Sequence, residues 1–222
     1  MKYLVYLQSY TSTYALNSEF QKICEECIKS KDVVGLIVGS RPDTLSDEKI
    51  SFLSDISRES PVFLEIGAET SNNDTLKMIN RHHTWEDVVT VVEKAARNNL
   101  HCGLHLIAGL PGEDEDQVIR NVSLACDLPI ETLKLHQLQI LYGTRLYDMW
   151  KEGNREIKIY EFEEYLRLCV KLVSIIPDNI VIDRFISQSP PDLVAAPKWG
   201  VKNYQFMEIL NKTITSKNSF LR

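Results

Sequence analysis

Short apolar runs alternate with helical patterns along most of this 222-residue chain, and that alternation constrains the fold more than any other feature. The apolar runs that predict strands cover residues 2–7, 33–38, 62–68, 101–108, 132–141 and 179–186. The segments between them carry apolar residues at the 3.6-residue period of amphipathic helices. Strands that alternate with helices form βαβ units around a parallel sheet. The sequence therefore predicts an α/β protein whose sheet stays open or curls towards a barrel.

Polar loops follow most of the predicted strands. Their position matters because the carboxyl ends of parallel strands share one edge of the sheet, where α/β folds bind their ligands. The first loop is rich in hydroxyl and amide groups and contains Gln8, Ser9, Tyr10 and Thr11. It can exchange several hydrogen bonds with a small polar ligand, although an ordinary solvated loop has the same composition.

Charged side chains stand near the ends of the second and third strands. Arg41 offers a planar guanidinium that suits a carboxylate, or it pairs with Asp43. Glu65 and Glu69 are four residues apart and therefore face the same side of one strand. A carboxylate there needs a partner or a solvated cavity, because unpaired burial is costly. Glu69 could bind ribose hydroxyls and Arg81 a carboxylate; the alternatives are a structural ion pair and a solvated helix end.

The fourth strand ends in a glycine-containing turn, 109–113 (GLPGE), that leads into a helix. Glycine permits close backbone approach, and a helix N-terminus favours oxygen-rich ligands. The turn lacks the Gly-Lys-Ser/Thr ending of a P-loop and the full dinucleotide fingerprint, so a tight structural turn is the alternative. His105 and His136 lie at similar depth on neighbouring strands, where each is either a hydrogen-bonded core residue or a ligand.

The five cysteines are Cys24, Cys27, Cys102, Cys126 and Cys169. An odd number argues against a disulfide framework. The one close pair in the sequence, Cys24 and Cys27, could be half of a zinc site or a redox motif. Because it lies within a helical pattern with no second Cys or His pair near it, we interpret both residues as packing residues.

Charge and hydropathy exclude several classes of protein. The 25 Lys and Arg residues against 31 Asp and Glu residues give a formal charge of −6. That balance gives no strong nucleic-acid signal and no attraction to an anionic membrane, although a local basic groove remains open. No apolar run approaches the ~18–20 residues of a membrane span. The apolar stretch at the N-terminus is too short for a signal peptide, so we expect a cytoplasmic protein.

Several motifs in a fixed order resemble the radical S-adenosylmethionine (SAM) superfamily. The segments 65–70 (EIGAET), 79–84 (INRHHT) and 106–113 (LIAGLPGE) resemble the branch near coproporphyrinogen dehydrogenase and the elongator acetyltransferase subunit. The segments 6–15 (YLQSYTSTYA) and 192–199 (DLVAAPKW) resemble the YhcC-type bacterial members in particular. Each motif alone is weak, whereas the ordered set covers nearly the whole chain.

The resemblance implies a partial (β/α)6 barrel of parallel strands with SAM held across the strand ends. It assigns the methionine amino group to the loop after the first strand, the ribose to Glu69 and the methionine carboxylate to Arg81. The strand that leads into the GLPGE turn would line the adenosine. The residues that the resemblance assigns to the cofactor are Gln8, Ser9, Tyr10, Thr11, Ser40, Arg41, Glu69, Arg81, His105, Ile107, Gly109 and Leu110.

One part of the superfamily pattern does not occur in this sequence. Members hold a [4Fe–4S] cluster with three cysteines in a C-x3-C-x2-C loop, and the five cysteines here form no such triad. The chain opens on what would be the family's second strand, so we expect the first βα unit to be missing. Residues 1–142 would be the incomplete barrel core and residues 143–222 a C-terminal α/β extension. An unpaired strand edge at 2–7 predicts self-association.

Three functions are compatible with this pattern. The favoured one is the larger part of an iron–sulfur oxidoreductase that cleaves SAM reductively to start radical chemistry on an unknown substrate, the chain as given being inactive. The second is a clusterless SAM-binding or regulatory domain. The third is an unrelated α/β barrel enzyme that uses Glu65, Glu69, His105 or His136 for acid–base chemistry.

Overall fold

A computed structural model describes residues 1–8 and 12–219, with side chains as far as residue 216. The strands in this part of the chain are β1 (Tyr3–Leu7), β2 (Val33–Ser40), β3 (Val62–Glu69), β4 (His101–Ala108), β5 (Thr132–Gln137), β6 (Ile140–Leu141), β7 (Val181–Arg184) and β8 (Val194–Ala196). The α-helices are α1 (Asn17–Ile28), α2 (Asp47–Ser57), α3 (Asn73–Met78), α4 (Trp85–Arg97), α5 (Glu115–Cys126), α6 (Arg145–Lys151), α7 (Phe162–Val173) and α8 (Asn203–Ser219). Short 3-10 helices cover Ser12–Tyr14 and Pro42–Thr44.

Six of these strands form one parallel sheet in the order β1-β2-β3-β4-β5-β7. The strand order follows the chain, as in barrel-type α/β folds, whereas a doubly wound sheet reverses its order. The register places Tyr6 beside Ile37 on β2, and Gly39 beside Glu65 on β3. The predicted parallel α/β fold of barrel type is therefore confirmed.

The chain divides into two compact units. One unit contains Met1–His105 and Ala125–Thr132. The other contains Leu106–Leu124 and Leu133–Arg222. None of the described helices is long and apolar enough to span a membrane.

Strand β3 shows how the sequence builds the first unit. Its fully buried residues are Val62, Leu64, Ile66 and Ala68. The residues between them are partly exposed, and they are Phe63, Glu65, Gly67 and Glu69. Successive side chains of a strand point to opposite faces, so one face of β3 packs into the core while the other carries the charged residues. The prediction that Glu65 and Glu69 face the same side of this strand is confirmed.

Helix α4 follows its sequence signals closely. The Thr84 hydroxyl accepts from the Asp87 amide, and the Asp87 carboxylate accepts from the Thr84 amide, which completes the capping box that the sequence suggests. The residues that the helix buries are Val88, Val91, Val92 and Ala95, as its apolar period predicts. The helix therefore begins at a fixed place, four residues after Arg81.

Aromatic side chains form the centre of the second unit. Tyr165, Phe185 and Phe206 are almost completely buried, with the Tyr165 and Phe206 rings 5.7 Å apart. The Tyr165 hydroxyl donates to the Phe185 carbonyl at 2.6 Å, so its polar atom is satisfied. Burial raises the pKa of Tyr165 well above its ordinary value. These rings contribute packing and no titrating group.

Two parts of the second unit differ from the predicted elements. The single strand expected at 132–141 is divided into β5 and β6, and β6 pairs antiparallel with β8. Neither β8 nor α6 has a sequence pattern from which we predicted it. Strand β8 has three residues, too few to show a period, and it exists because Ala196 pairs with Ile140 more than fifty residues earlier.

Candidate functional site

An ion pair occupies the carboxyl end of β3. Arg81 Nη2 lies 2.9 Å from Glu69 Oε1 and also donates to the Gly67 carbonyl at 3.1 Å. Both side chains are mostly buried, with exposed fractions of 25% for Arg81 and 14% for Glu69. Arg81 Nε is buried and has no hydrogen-bond partner within the described part of the chain. A buried N–H group without a hydrogen-bond partner costs free energy. The Arg81 guanidinium therefore has an unsatisfied donor at this position.

The absence of a side chain at Gly67 makes room for this pair. A Cβ atom placed there would lie 2.8 Å from Glu69 Oε1 and 2.9 Å from Arg81 Nη2. Both distances are shorter than any comfortable contact, so a larger residue would displace the ends of the two charged side chains. Glycine at this position therefore serves the geometry of the Glu69–Arg81 pair.

Glu69 itself is held in an unusual conformation. Its φ of 65° lies in the left-handed region, which residues with a side chain rarely occupy. Burial raises the pKa of its carboxyl, while the charge of Arg81 and the neighbouring His105 oppose that rise. Strained backbone and perturbed carboxyls both concentrate at ligand sites. The end of β3 is therefore a strong candidate for such a site.

His83 lies next to this pair and was not among the predicted site residues. Its Nε2 is 3.5 Å from the Ala68 carbonyl, and its buried Nδ1 has no hydrogen-bond partner among the described residues. Burial lowers the pKa of His83, and the charge of Arg81 lowers it further. The lowered pKa favours the neutral form of the ring. A buried histidine two residues after a site arginine has no local sequence signal that separates it from a core residue.

A hydrogen-bonded cluster occupies the middle of the same face of β3. The Tyr6 hydroxyl donates to Glu65 Oε2, and His105 Nε2 lies 3.1 Å from the same oxygen. Gly39 of β2 is the register partner of Glu65. A Cβ atom placed on Gly39 would lie 3.6 Å from the Tyr6 ring. Tyr6 from β1 therefore reaches β3 across a strand that presents no side chain there. Sequence analysis named Glu65 and His105 but missed Tyr6, because strand register is needed to bring it close.

The second strand end carries a closed set of contacts. Arg41 donates through Nε to Asp43 Oδ1 at 2.9 Å, and its Nη2 also contacts this carboxylate. The pKa of Asp43 is lowered, because the hydrogen bond and charge of Arg41 outweigh the effect of burial. The Ser40 hydroxyl is buried and bonds to the hydroxyls of Thr13 and Thr44. Neither Ser40 nor Arg41 joins the Glu69–Arg81 pair, so the structure gives these predicted cofactor residues local partners.

Lys49 completes this second cluster and was also not predicted. Its ammonium group is buried and donates to the carbonyls of Thr13 at 2.6 Å, Ala15 at 3.0 Å and Thr44 at 3.3 Å. Burial lowers its pKa. The lysine thereby joins the segment after β1 to the segment after β2. Gln8, which precedes that first segment, is exposed.

Three further predicted cofactor residues lie outside the described part of the chain. They are Ser9, Tyr10 and Thr11. Their assignment to the methionine amino group stays a prediction.

The remaining predicted residues lie at the end of β4 and in the turn after it. Ile107 is partly exposed, while Leu110 is buried. Gly109 has a φ of 88°, and a Cβ there would lie 3.0 Å from the Tyr160 ring. The Gly112 amide donates to the Glu156 carbonyl at 3.0 Å. The glycine turn is thus packed against residues of its own unit, and its place beside adenosine stays a prediction.

The described cysteines do not fit a [4Fe–4S] cluster. All five are free, and no group of three or more His, Cys, Asp or Glu side chains in the described residues could hold a metal ion. Burial raises the pKa of Cys24 and of Cys102 to about 12 and raises that of Cys169 further. Cluster ligands are thiolates, so buried protonated thiols are poor candidates.

Comparison with known proteins assigns the chain to a family. The model described as "Radical SAM superfamily" matches residues 5–125, and the "Radical_SAM C-terminal domain" matches residues 130–215. The uncharacterized protein YtqA of Bacillus subtilis is 27% identical over 219 residues, which cover 99% of this chain and 67% of YtqA. Protein YhcC of Escherichia coli K12 is 28% identical over 212 residues, which cover 95% of this chain and 68% of YhcC.

Comparison with a solved structure supports the fold that the family models indicate. The archaeal Methanocaldococcus infernus Elp3 with an N-terminal deletion superposes with a TM-score of 0.81 at 21% identity. The match covers 98% of this chain and 55% of that one. At this identity the likeness concerns the fold, which is that of the predicted radical SAM barrel. The family models, the YhcC-like relatives and the fold agree, and this chain belongs to the radical SAM superfamily.

Proposed function

We propose that the carboxyl end of β3 binds the methionine part of SAM in this chain, with Arg81 as the carboxylate-binding residue. One observation carries the proposal: among the described residues, the buried Arg81 Nε has no hydrogen-bond partner, while Nη2 of the same guanidinium contacts Glu69 and Gly67. An arginine presents a planar fork that binds carboxylates through two nitrogens. A carboxylate that reached Nε would give this buried donor a hydrogen-bond partner.

Glu69 supports the same interpretation. Its carboxylate pairs with Arg81 through Oε1 and stands on the accessible face of β3. A carboxylate in that place can accept hydrogen bonds from ribose hydroxyls or from an ammonium group. SAM carries both groups together with a carboxylate, so one cation and one anion side by side suit it. When bound in members of the superfamily, SAM supplies the adenosyl group with which their radical chemistry begins.

The cluster that the superfamily uses has no ligand set in the described residues. Within this proposal the ligands of the iron–sulfur cluster come from outside the 222 residues, and the chain by itself binds SAM without cleaving it. The relatives are longer than this chain, which spans 67% of YtqA and 68% of YhcC. Five free cysteines support a cytoplasmic location, because a reducing compartment keeps thiols unpaired.

Titration calorimetry with SAM and with decarboxylated SAM tests the proposal. In this proposal the carboxylate is the group of SAM that Arg81 binds. The decarboxylated compound should therefore bind about tenfold or more weakly, as expected for the loss of one hydrogen-bonded charge. Equal affinities for the two compounds, or no binding of SAM, would overturn the assignment. Anaerobic incubation with iron and sulfide should leave no [4Fe–4S] absorbance, and a chain that assembles this cluster would contradict the second part.

We also propose that β1 pairs with β1 of a second copy. It forms one edge of the sheet, where its outer backbone groups have no strand partner in the described residues, and Tyr3 and Leu4 are exposed on it. Light scattering should show concentration-dependent dimers that Leu4→Lys abolishes. Val34→Lys, an equally apolar-to-charged change on the interior strand β2, should leave them intact. A monomer at every concentration would exclude this pairing.

A further inference from the structure

Three aromatic rings form a row on the surface of the second unit. The Tyr142 and Tyr147 ring centroids are 5.2 Å apart, and those of Tyr147 and Trp150 are 6.2 Å apart. Tyr142 follows β6, and the other two rings belong to α6, which buries none of its residues fully. Tyr142 is 47% exposed, unlike Tyr165 and Phe206, whose rings form the core of this unit. Tyr147 and Trp150 are partly exposed, so all three rings reach the surface of the unit.

Two lysines lie against these rings. Lys198 Nζ is 5.6 Å from the Tyr142 centroid and 3.5 Å from the Tyr142 hydroxyl. Lys151 Nζ is 5.9 Å from the Tyr147 centroid. Both lysines are exposed, and neither is in an ion pair among those found in the described part of the chain. We call Tyr142, Tyr147, Trp150, Lys151 and Lys198 the aromatic–lysine patch.

The acidic residue of α6, Asp148, projects to another side of the helix than Tyr147. Helical residues advance by about 100° each, so the two side chains are about 100° apart around the helix axis. Arg145 lies about 60° from Asp148, on the side away from Tyr147. The patch therefore presents cations and aromatic rings together. The formal charge of the whole chain is −6, so the local charge of this surface differs in sign from the net charge.

We propose that the aromatic–lysine patch binds single-stranded nucleic acid. Bases of a single strand stack on aromatic rings that solvent can reach, and the adjoining phosphates need cations at the same surface. A row of three rings with a lysine beside two of them supplies both. A lipid surface would require a broader apolar face, and an acidic peptide would use the lysines but leave the rings unexplained. The patch consists entirely of residues of the second unit, and none of them belongs to the proposed SAM site.

Fluorescence anisotropy with labelled twelve-nucleotide oligouridylate and oligothymidylate at 50 mM salt tests this proposal on the chain as it exists. Both should bind the wild-type chain, since stacking does not depend on the sugar; tighter binding of one strand would identify it as the preferred ligand. Tyr147→Ala and Trp150→Ala should each weaken binding about 5- to 100-fold, the range for loss of one stacked base. Tyr147→Phe and Trp150→Phe, which keep a ring, should bind like the wild type.

Charge variants separate the lysine contribution from the stacking contribution. Lys151→Gln and Lys198→Gln should lower the slope of log Kd against log salt by about 0.7 each, the value for one phosphate contact of a single strand. Tyr204→Ala, at an exposed ring of α8, is the matched control and should change nothing. The proposal fails if no strand binds, if the alanine variants bind as tightly as the wild type, or if dextran sulfate competes as well as oligouridylate.

Discussion

Two arginine–carboxylate pairs stand at neighbouring strand ends of this protein, and they behave differently. At the end of β2, Arg41 and Asp43 bond through two nitrogens and both carboxylate oxygens. At the end of β3, Arg81 and Glu69 share one contact at 2.9 Å, and no residue that the structure describes is a hydrogen-bond partner of the buried Arg81 Nε. The first pair is complete by itself, whereas the second leaves a donor for a ligand. The comparison shows that residue type and position at a strand end do not suffice to identify a binding arginine.

The polar side chains and the backbone around the two pairs show the same contrast. Near Arg41, the hydroxyls of Ser40 and Thr44 and the ammonium of Lys49 all have partners within the protein. Near Arg81, Glu69 has a φ of 65°, and the buried His83 Nδ1 has no hydrogen-bond partner in the part of the chain that the structure describes. Unsatisfied polar atoms and strained backbone are retained at functional sites and are rare elsewhere. The open pair is therefore the better candidate for SAM.

Replacing each arginine gives the largest expected difference. Arg81→Ala should weaken SAM binding by about 10- to 100-fold, because one hydrogen bond between charged groups is worth ~1.5–3 kcal/mol. Arg41→Ala, the matched change at the closed pair, should alter the SAM Kd by less than about threefold, since Asp43 is its partner in the free protein. Calorimetric titration of both variants decides the matter. A larger loss at Arg41 than at Arg81 would reverse the comparison.

Adding a methyl group beside each strand end gives a smaller effect. Gly67→Ala would place a Cβ 2.8 Å from Glu69 Oε1 and force the pair apart, which we expect to weaken SAM binding about fivefold, the equivalent of ~1 kcal/mol of overpacking. Gly39→Ala meets its nearest atom, the Leu7 carbonyl oxygen, at an ordinary 3.4 Å. That variant should bind SAM like the wild type. Equal Kd values for the two alanine variants would show that Gly67 does not shape the site.

The pH dependence of folding should have opposite signs at the two carboxyls. Burial raises the pKa of Glu69 above the ordinary 4.5, so its contribution to stability is full below pH 4.5 and is lost as the pH rises through the raised value. The pKa of Asp43 lies below the ordinary 3.8, because the bond to Arg41 outweighs burial. Its contribution is present above pH 3.8 and is lost as the pH falls.

Urea unfolding between pH 3 and pH 8 measures both trends. The free energy of unfolding of the wild type relative to Glu69→Gln should decrease as the pH rises above 4.5. The same difference relative to Asp43→Asn should decrease as the pH falls below 3.8. Two differences with the same sign of slope would mean that the two pairs do not differ in electrostatic environment.

Local sequence patterns predict much of this structure. The alternation in β3 places Glu65 and Glu69 on one face, and the spacing from Thr84 to Asp87 starts α4 correctly. Both signals act over a few residues, so the sequence is enough to interpret them. The pairing of β6 with β8 escaped prediction, because Ile140 and Ala196 are far apart in the chain and β8 is three residues long.

The sequence by itself determined the α/β class, the motifs of the radical SAM superfamily and the identity of Arg81 and Glu69 as site candidates. Only the tertiary structure decided which arginine is open, since the partners of Arg41 and Arg81 depend on how two strand ends fold. It also joined Tyr6, Glu65 and His105, which come from three different strands. Periodicity and capping are properties of neighbours in the chain, whereas satisfaction of a buried donor depends on residues that only folding brings together.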